Sequence, residues 1–469
     1  MRLSLAATES LNLRCGPEAG RQGPSLLPPT VPLRRSASWS LVGNVVYSGS
    51  QWLIVALLAK LGSPEAVGQF ALGLAVTAPV YMFASLQLRA IAATDSAGRY
   101  AVADYIGLRL ATTAAALATV VGIALFYHQG ARTVILVIGI AKSIEWSSDL
   151  LYGLLQRCEK LDLIACSMIA KGLLTCAVGG LLGARHTSAL SVATALSIAW
   201  LSVLCLYDIP VVVRLLGPRH FAPAARLLDV CTNLAVLRPS WRAQRLTPLI
   251  KTSLPLGISM MLISLTTNVP RYYLHHFCGE ALVGIFTALM CFGAAGSQIV
   301  MALGAAASPR MARYFAGREV AKFLSVVRKL LIGSAILGAA GVSAAYFAGP
   351  SILRICYRSE YSQYSRVFIW AMITAGVGYF VSILGYTATA RWRFTAQPVA
   401  LCAVIAALIV ACHVLIPHYG LMGAVIACLV AQVVGLVSYG LIAFLPGSTE
   451  RQSGKSNAPR RAALSGLTH

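Results

Sequence analysis

Three ionisable residues, Lys142, Glu145 and Asp149, lie within one apolar run of the chain, Thr133 to Leu155. Their i, i+3, i+7 spacing places the three side chains on one face of a helix. The following run adds Lys171. A charge in the middle of a bilayer costs at least about 2.5–3.5 kcal/mol, so such a group is paired, hydrated or functional. We expect a network Lys142–Glu145–Lys171, with Asp149 one helical turn away.

This charge network has two interpretations, and both stay open at the level of the sequence. It can be a structural clip between the fourth and fifth runs, or its cations, Lys142 and Lys171, can bind an anionic substrate while Glu145 and Asp149 couple its movement. Apolar replacement of both Glu145 and Lys171 distinguishes the two interpretations, because retained transport would indicate a clip alone.

The first apolar run carries a polar stripe of hydroxyl and amide groups. Asn44, Tyr47, Ser48 and Gln51 follow one another at i, i+3, i+4 and i+7. Such groups do not face lipid, where they would lack hydrogen-bond partners, so they face either another helix or a water-filled cavity. We favour the cavity and assign Asn44, Tyr47 and Gln51 to substrate binding.

The seventh run ends in a polar segment that contains Asn268, Pro270 and Arg271. Pro270 removes a backbone donor and disfavours helical geometry at Val269, which predicts an interrupted helix of the kind that marks transporter binding sites. The planar guanidinium of Arg271 suits a phosphate group, and we place it near the outer mouth. The alternative is an interfacial arginine that reaches the lipid headgroups.

The composition indicates that these apolar runs are surrounded by lipid. The chain has 469 residues, of which 58% are hydrophobic and 11% charged, and its mean hydropathy is +0.74. Soluble domains carry roughly 25% charged residues. The net charge of +23 is spread over the loops instead of forming one basic domain, so we expect no nucleic-acid partner.

The 12 cysteines and the histidines predict neither disulfides nor a metal centre. The cysteines lie mostly in apolar runs without CxxC spacing, where cysteine acts as a small buried hydrophobic residue. His275 and His276 are adjacent, and adjacent side chains diverge on a helix. No nucleotide-binding loop is present, and we expect no cofactor.

Twelve runs are long enough to cross a bilayer, since about 20 helical residues span its hydrocarbon core. They predict an all-α polytopic membrane protein with about 12 transmembrane helices in two six-helix lobes around a central cavity. The predicted divisions are a cytoplasmic tail (1–38), an N-lobe (39–216), a basic connector (217–248), a C-lobe (249–445) and a second cytoplasmic tail (446–469).

The basic residues predict the orientation of the helices. When loops are assigned alternately to the two sides, 28 Lys and Arg fall on the side of the termini and 7 on the other. The positive-inside rule then places both termini in the cytoplasm. Six passes return the chain to its starting side, so the halves form a parallel repeat. Gly68 and Phe70 match Gly284 and Phe286 in this repeat.

Several segments resemble one family of membrane proteins. They include SIEWSSDLLYGLLQRCEKLD (143–162), the Asn-Val-Pro-Arg-Tyr run (268–272) and the Ser-Pro-Arg run (308–310). From Trp39 to Leu445 the chain is similar to the oligosaccharide (O-antigen) flippases. These flippases, which act in polysaccharide biosynthesis, form part of the multidrug/oligosaccharidyl-lipid/polysaccharide exporter superfamily. The long N-terminal tail departs from the family pattern.

The resemblance implies a MATE-like arrangement of two lobes that rock between inward-open and outward-open states. The implied substrate is an undecaprenyl-pyrophosphate-linked oligosaccharide, moved to the outer leaflet of the bacterial inner membrane. Membrane lipids and the machinery that polymerises the polysaccharide and sets its chain length are the implied partners. We expect no enzymatic activity.

Two other functions stay open from the sequence. One is a multidrug or cation antiporter of the same superfamily, which needs a carboxylate that faces the cavity; Glu145 and Asp149 are the candidates. The other is a membrane-embedded polysaccharide polymerase or acyltransferase. Short outer loops argue against a polymerase, since the longest, from about Gly349 to Arg366, has fewer than twenty residues.

Overall fold

A computed structural model of the protein describes residues 33–95, 98–183, 187–216, 237–391, 393 and 396–444. The predicted tails fall almost entirely outside these ranges, as does most of the predicted connector, residues 217–236. The described chain is built from α-helices joined by short turns, as the apolar runs predict.

The first half of the chain makes six passes, which we call the N-lobe. The second pass consists of α2 and α3, and the sixth consists of α7 and α8 with a π-helical turn between them, Leu204–Asp208. The helices are α1 (Leu33–Leu61), α2 (Pro64–Ala84), α3 (Leu88–Thr94), α4 (Val102–Ala124), α5 (Gln129–Arg157), α6 (Leu161–Gly183), α7 (Ala189–Val203) and α8 (Ile209–Leu216).

The second half, the C-lobe, contains longer helices. A 3-10 turn, Ser359–Tyr364, precedes α12. The helices are α9 (Ala243–Cys278), α10 (Glu280–Ala316), α11 (Val320–Cys356), α12 (Ser365–Ala390) and α13 (Ala396–Phe444). The helix α9 begins six residues before the predicted Leu249, and α1 begins six residues before the predicted Trp39, so part of the predicted connector and tail is helical.

The helix α13 is two membrane passes in one element. Its backbone breaks at Gly420, where φ is 53° and ψ is −125°, a conformation that glycine adopts readily. Gly435 then lies beside Val404, with 3.5 Å between a Cβ built on the glycine and Cγ2 of the valine. Contact between residues on opposite sides of Gly420 shows that the two segments form an antiparallel hairpin.

Twelve passes result when α13 is counted twice. Among the described residues, ten stretches meet the length and hydropathy expected of a membrane span, and α13 is one of them. The helix α5 falls outside that set because it carries Lys142, Glu145 and Asp149. It nevertheless packs between α2 and α7 as a full-length helix. The predicted polytopic all-α fold is therefore confirmed.

The lobes meet at one end of the bundle, which we call the closed end. There the first turn of α2 crosses the first turn of α10, and Gly68 lies against the backbone carbonyl of Glu280. Across the same boundary, Lys60 Nζ donates to the Ile355 carbonyl at 2.5 Å, and Arg358 Nη1 donates to the Gly62 carbonyl at 2.9 Å.

At the opposite end, the open end, α1 and α10 separate. Their last ring contact joins Trp52 to Phe292, with 6.4 Å between the centroids. Beyond it, Val45 on α1 and Met301 on α10 are 61% and 46% exposed. The helices α2 and α9 remain packed along this side. We infer from this separation a cleft that opens at the end where α1 begins and α13 finishes, and sideways between α1 and α10.

The predicted interruption of the seventh pass is wrong. The helix α9 continues through Pro255 and Pro270 to Cys278. Proline in a membrane helix is tolerated when nearby groups satisfy the freed backbone atoms. Next to Pro270, the guanidinium of Arg271 donates from Nη1 to the Thr267 carbonyl at 2.8 Å, so a side chain supports the backbone at this point.

Candidate functional site

Glu145 joins α1 to α5 within the N-lobe. Its Oε1 accepts a hydrogen bond from the Tyr47 hydroxyl at 2.5 Å, and its Oε2 accepts one from Lys142 Nζ at 2.7 Å. The Lys142 ammonium also lies 5.3 Å from the ring centroid of Trp200 on α7. The spacing on α5 thus brings Lys142 and Glu145 together as expected, and Tyr47 completes the group from α1.

Lys171 lies apart from this group, contrary to the predicted network. It pairs with Asp208, with 3.1 Å from Nζ to Oδ2, and both side chains are buried. Lys171 Nζ also donates to the Tyr152 hydroxyl at 2.8 Å, while Ser167 donates to Asp208 Oδ1 at 2.5 Å. A buried pair with these additional hydrogen bonds is electrically neutral and closed to a substrate.

Asp208 is a buried carboxylate inside a membrane pass that was not among the residues predicted from the sequence. It ends the π-helical turn between α7 and α8, and such turns change the direction in which side chains project from a helix. The available signal was its position as a single acidic residue inside the sixth apolar run. The predicted network included only the fourth and fifth runs, so it did not include the sixth.

Asp149 forms a third group with two arginines and, among the described residues, shares no ion-pair partner with Glu145. Arg89 Nη1 lies 3.1 Å from Asp149 Oδ1, and Arg109 Nη2 lies 3.8 Å from Oδ2. Arg89 comes from the short helix α3, and Arg109 comes from α4. The direct partners therefore differ from the predicted ones, because Asp149 faces α3 and α4 while Glu145 faces α1. Lys171 still interacts electrostatically with both Glu145 and Asp149.

The polar stripe of α1 faces two kinds of surroundings. Tyr47 points to α5 and α7, not into the cleft as expected. Asn44 is exposed on the half of α1 that borders the cleft. Gln51 is partly buried, and its Nε2 atom has no hydrogen-bond partner in the described part of the chain. An unpaired buried amide is costly, so this atom needs a partner that the described residues do not supply, although it has almost no accessible surface.

Arg271 is held in the C-lobe by oxygen atoms. Its Nε donates to the Thr287 hydroxyl at 3.1 Å, and Nη1 donates to the Asn268 side-chain oxygen at 3.0 Å and to the Thr267 carbonyl. The guanidinium carbon lies 5.9 Å from the ring centroid of Phe286. Among the described residues no carboxylate pairs with it. Arg271 and Asn268 thus form one preorganised cationic site.

A second polar cluster lies at the closed end, between the lobes. Glu280 Oε1 is 2.6 Å from His128 Nε2 and 4.0 Å from His275 Nε2. Gln69 donates to Glu280 Oε2 at 2.9 Å. His276 turns away and contacts the ring of Phe277 instead. The two adjacent histidines diverge as expected, but His275 finds partners on other elements.

The twelve passes and their division into two lobes define an all-α polytopic membrane protein. No family model matches the chain. The chain is similar to the capsular polysaccharide biosynthesis protein CapF of Staphylococcus aureus, with 23% identity over 410 residues, 86% of this chain and 98% of that protein.

Solved structures with the same fold are multidrug resistance MATE family transporters of the MOP superfamily. An inward-facing one has a TM-score of 0.63 at 13% identity and covers 92% of this chain and 100% of its own. An outward-facing one has a TM-score of 0.57 at 16% identity, covering 87% and 94%. A Pyrococcus furiosus MOP superfamily transporter, described as having a binding pocket of reverse polarity, has a TM-score of 0.57 at 16% identity, covering 87% and 95%.

These similarities confirm the resemblance predicted from the sequence. The chain shares the all-α fold of the solved MOP superfamily transporters, is similar in sequence to CapF, and is a multi-pass membrane protein.

Proposed function

We propose that the protein is a flippase that moves an undecaprenyl-pyrophosphate-linked oligosaccharide from the inner to the outer leaflet of the bacterial inner membrane. It does so by alternating access, and both termini lie in the cytoplasm. The observation that carries the proposal is Arg271, an arginine within a membrane pass that is held by neutral oxygen atoms. We assign the pyrophosphate to this guanidinium, because a planar cation binds phosphate oxygens in pairs.

The distribution of charge supports an anionic substrate. Glu65, Asp104 and Asp162 lie in the first turns of N-lobe helices. The three N-lobe carboxylates that lie deeper in the passes are each paired with a basic side chain: Glu145 with Lys142, Asp149 with Arg89 and Arg109, and Asp208 with Lys171. A cation antiporter needs a carboxylate that can receive its substrate. In the part of the chain that the structure describes, Arg271 has no carboxylate partner, so an anion completes its site at the lowest cost.

The remaining predicted residues divide by location. We assign Asn44, which is exposed on the half of α1 that borders the cleft, to the hydroxyl groups of the sugar. We assign Gln51, two turns further along α1, to the same role, because its amide nitrogen has no partner among the described residues. Lys142 and Tyr47 are engaged with Glu145 inside the N-lobe, Lys171 with Asp208, and Asp149 with Arg89 and Arg109, so we assign these residues to holding the N-lobe helices together. This assignment favours the structural clip over a role in substrate binding and coupling.

The shape of the cleft fits a substrate that is part sugar and part lipid. Each sugar hydroxyl that entered hydrocarbon would lose its hydrogen bonds with water. The cleft gives the headgroup a hydrated route, and the gap between α1 and α10 lets the polyprenyl chain remain in the bilayer. The similarity to CapF supports a polysaccharide pathway and, with it, membrane lipids and the polymerising machinery as partners.

The orientation of the cleft follows from the predicted topology. The open end is the end at which α1 begins, and the positive-inside asymmetry assigns that end to the cytoplasm. The structure then corresponds to the state that receives a lipid-linked substrate from the cytoplasmic leaflet.

Binding and transport can be measured separately. In the first assay, the purified protein in nanodiscs is titrated with undecaprenyl pyrophosphate. We expect Arg271→Ala to weaken binding at least about tenfold, corresponding to the 1.4 kcal/mol or more of a charge-assisted contact. Arg354→Ala, which removes an exposed arginine on α11, is the matched control and should bind like the wild type.

In the second assay, the gene is expressed in a flippase-null bacterium, and surface glycan is measured. Rescue by the wild type and by Arg354→Ala, but not by Arg271→Ala, supports the proposal. Unchanged binding in Arg271→Ala would refute the assignment of the pyrophosphate site. A wild type that binds no undecaprenyl pyrophosphate but exports organic cations from vesicles would establish the antiporter instead.

A further inference from the structure

We propose that His128, His275 and Glu280 form a binding site for a divalent transition metal, represented by Zn²⁺, that joins the two lobes at the closed end. His128 belongs to the N-lobe, at the start of α5. His275 and Glu280 belong to the C-lobe, at the end of α9 and the start of α10. One metal ion at this position would bind residues from both sides of the boundary.

The three ligand atoms are already gathered. Nε2 of each histidine and one carboxylate oxygen of Glu280 all lie within 4.8 Å of one another. In a tetrahedral zinc site with bonds of about 2.0–2.1 Å, neighbouring ligand atoms are about 3.3 Å apart. The distances from Glu280 Oε1 to the two histidines, 2.6 and 4.0 Å, lie on either side of that value. Side-chain adjustments of less than about 1 Å therefore complete the geometry.

The type of ligand also suits zinc. Two imidazole nitrogens and one carboxylate oxygen are a ligand set that proteins use for Zn²⁺, with water in the fourth position. The side chain of His128 is 57% exposed, which leaves a path for the metal and room for that water. The carboxylate supplies the negative charge that a divalent cation needs.

Groups around the cluster hold two of the three ligands, Glu280 and His128, in place. Glu280 Oε2 accepts the hydrogen bond from Gln69 on α2, so Oε1 is the oxygen directed at the histidines. Arg132 donates to the Leu125 and Tyr127 carbonyls and so fixes the turn that carries His128. Such outer contacts orient metal ligands and strengthen binding.

A bound metal would act on the movement of the lobes. The closed end must separate before the cleft can open on this side of the membrane, and the metal ligands belong to different lobes. Zinc would therefore hold the protein in the state described here and slow any transport cycle. This inference rests on the fold and the cluster alone, not on the identity of the substrate.

The experiment is a zinc titration of the purified full-length protein after treatment with a chelator, followed by competition with a chromophoric zinc ligand. We expect one zinc equivalent in the wild type that is absent or at least about tenfold weaker in His128→Gln and in His275→Gln, since even an outer contact of a metal site contributes tenfold or more. His276→Gln is the matched control, because its ring points to Phe277, and it should bind like the wild type.

Two further measurements keep the result interpretable. Zinc should raise the melting temperature of the wild type and of His276→Gln but not of the other two variants, and without zinc a normal melt shows that each variant is folded. His128→Cys should restore binding, because a thiolate is also a zinc ligand. Wild-type zinc affinity in His128→Gln would overturn the proposal, since the metal would then not join the lobes. The proposal would also be overturned if the wild type bound no more zinc than the His275→Gln variant.

Discussion

Gly68 and Gly284 face each other across the boundary between the lobes, 216 residues apart in the chain. A Cβ on Gly68 would overlap the Glu280 carbonyl, and a Cβ on Gly284 would overlap the Pro64 carbonyl. Pro64 and Glu280 are also 216 residues apart. Each half therefore presents the same position to the other, as a parallel repeat about a two-fold axis requires.

This crossing leads to a prediction about stability. We expect Gly68→Ala to lower the free energy of unfolding by about 1–3 kcal/mol, because the added methyl group forces the two backbones apart. Unfolding in a detergent titration measures the loss. Gly122→Ala on α4 is the matched control, since a Cβ there has no atom within 4 Å. Equal stability of Gly68→Ala and Gly122→Ala would contradict the close crossing.

A second prediction concerns the buried pair of Lys171 and Asp208. Lys171→Met leaves a buried carboxylate without its cation, and we expect a loss of about 3–5 kcal/mol in the free energy of unfolding. The double variant Lys171→Met/Asp208→Leu should recover most of that loss, because no unpaired charge remains. The same detergent titration provides the comparison.

The exposed pair of Lys322 and Glu319 is the control for this effect. Their side chains are 66% and 45% exposed, and exposed pairs of this kind contribute little to stability because solvent screens them. Lys322→Met should therefore melt close to the wild type. If the Lys171/Asp208 double variant is no more stable than Lys171→Met, the two residues are not coupled in the way that the structure shows.

The third prediction tests the support of Arg271. Thr287→Val removes the hydroxyl that accepts from Nε and keeps the shape of the side chain. The guanidinium then loses one of its three oxygen contacts, and we expect transport in the complementation assay to fall several-fold without a change in protein level. In Thr266→Val the lost hydroxyl bonds only within α9, to Ile263, and transport should be normal. Equal activity in the two variants would remove Thr287 from the site.

The fourth prediction concerns access to the cleft. In a background without the 12 native cysteines, Gly49→Cys should react with a membrane-impermeant maleimide, and Ala59→Cys should not. Gly49 is exposed with open space around it, while Ala59 is completely buried at the closed end. A water-soluble reagent does not reach lipid-facing positions, so labelling at Gly49 distinguishes a hydrated cleft from a lipid surface. Absence of labelling there would mean that α1 borders lipid.

The partners of the charged residues in the membrane passes show which contacts the sequence could and could not predict. Lys142 and Glu145 lie three residues apart on one helix, and their contact follows from helical geometry alone. Lys171 was assigned to Glu145 because the fourth and fifth passes are consecutive, yet its partner comes from the π-helical turn before α8. Which of several neighbouring helices supplies the partner depends on helix rotation, and apolar sequences that are hydrophobic all round do not encode it.

The sequence by itself determined the length and number of the membrane passes, because bilayer thickness fixes how many apolar residues a crossing needs. It also identified Arg271 and Asn268, three residues apart, as a cation and an amide in the same segment. Only the tertiary structure decided that Arg271 rests on Thr287, that three carboxylates each have a cation, and that His128 meets Glu280 across the lobes. Those contacts join residues far apart in the chain, and they exist only once the helices have packed with particular faces toward one another.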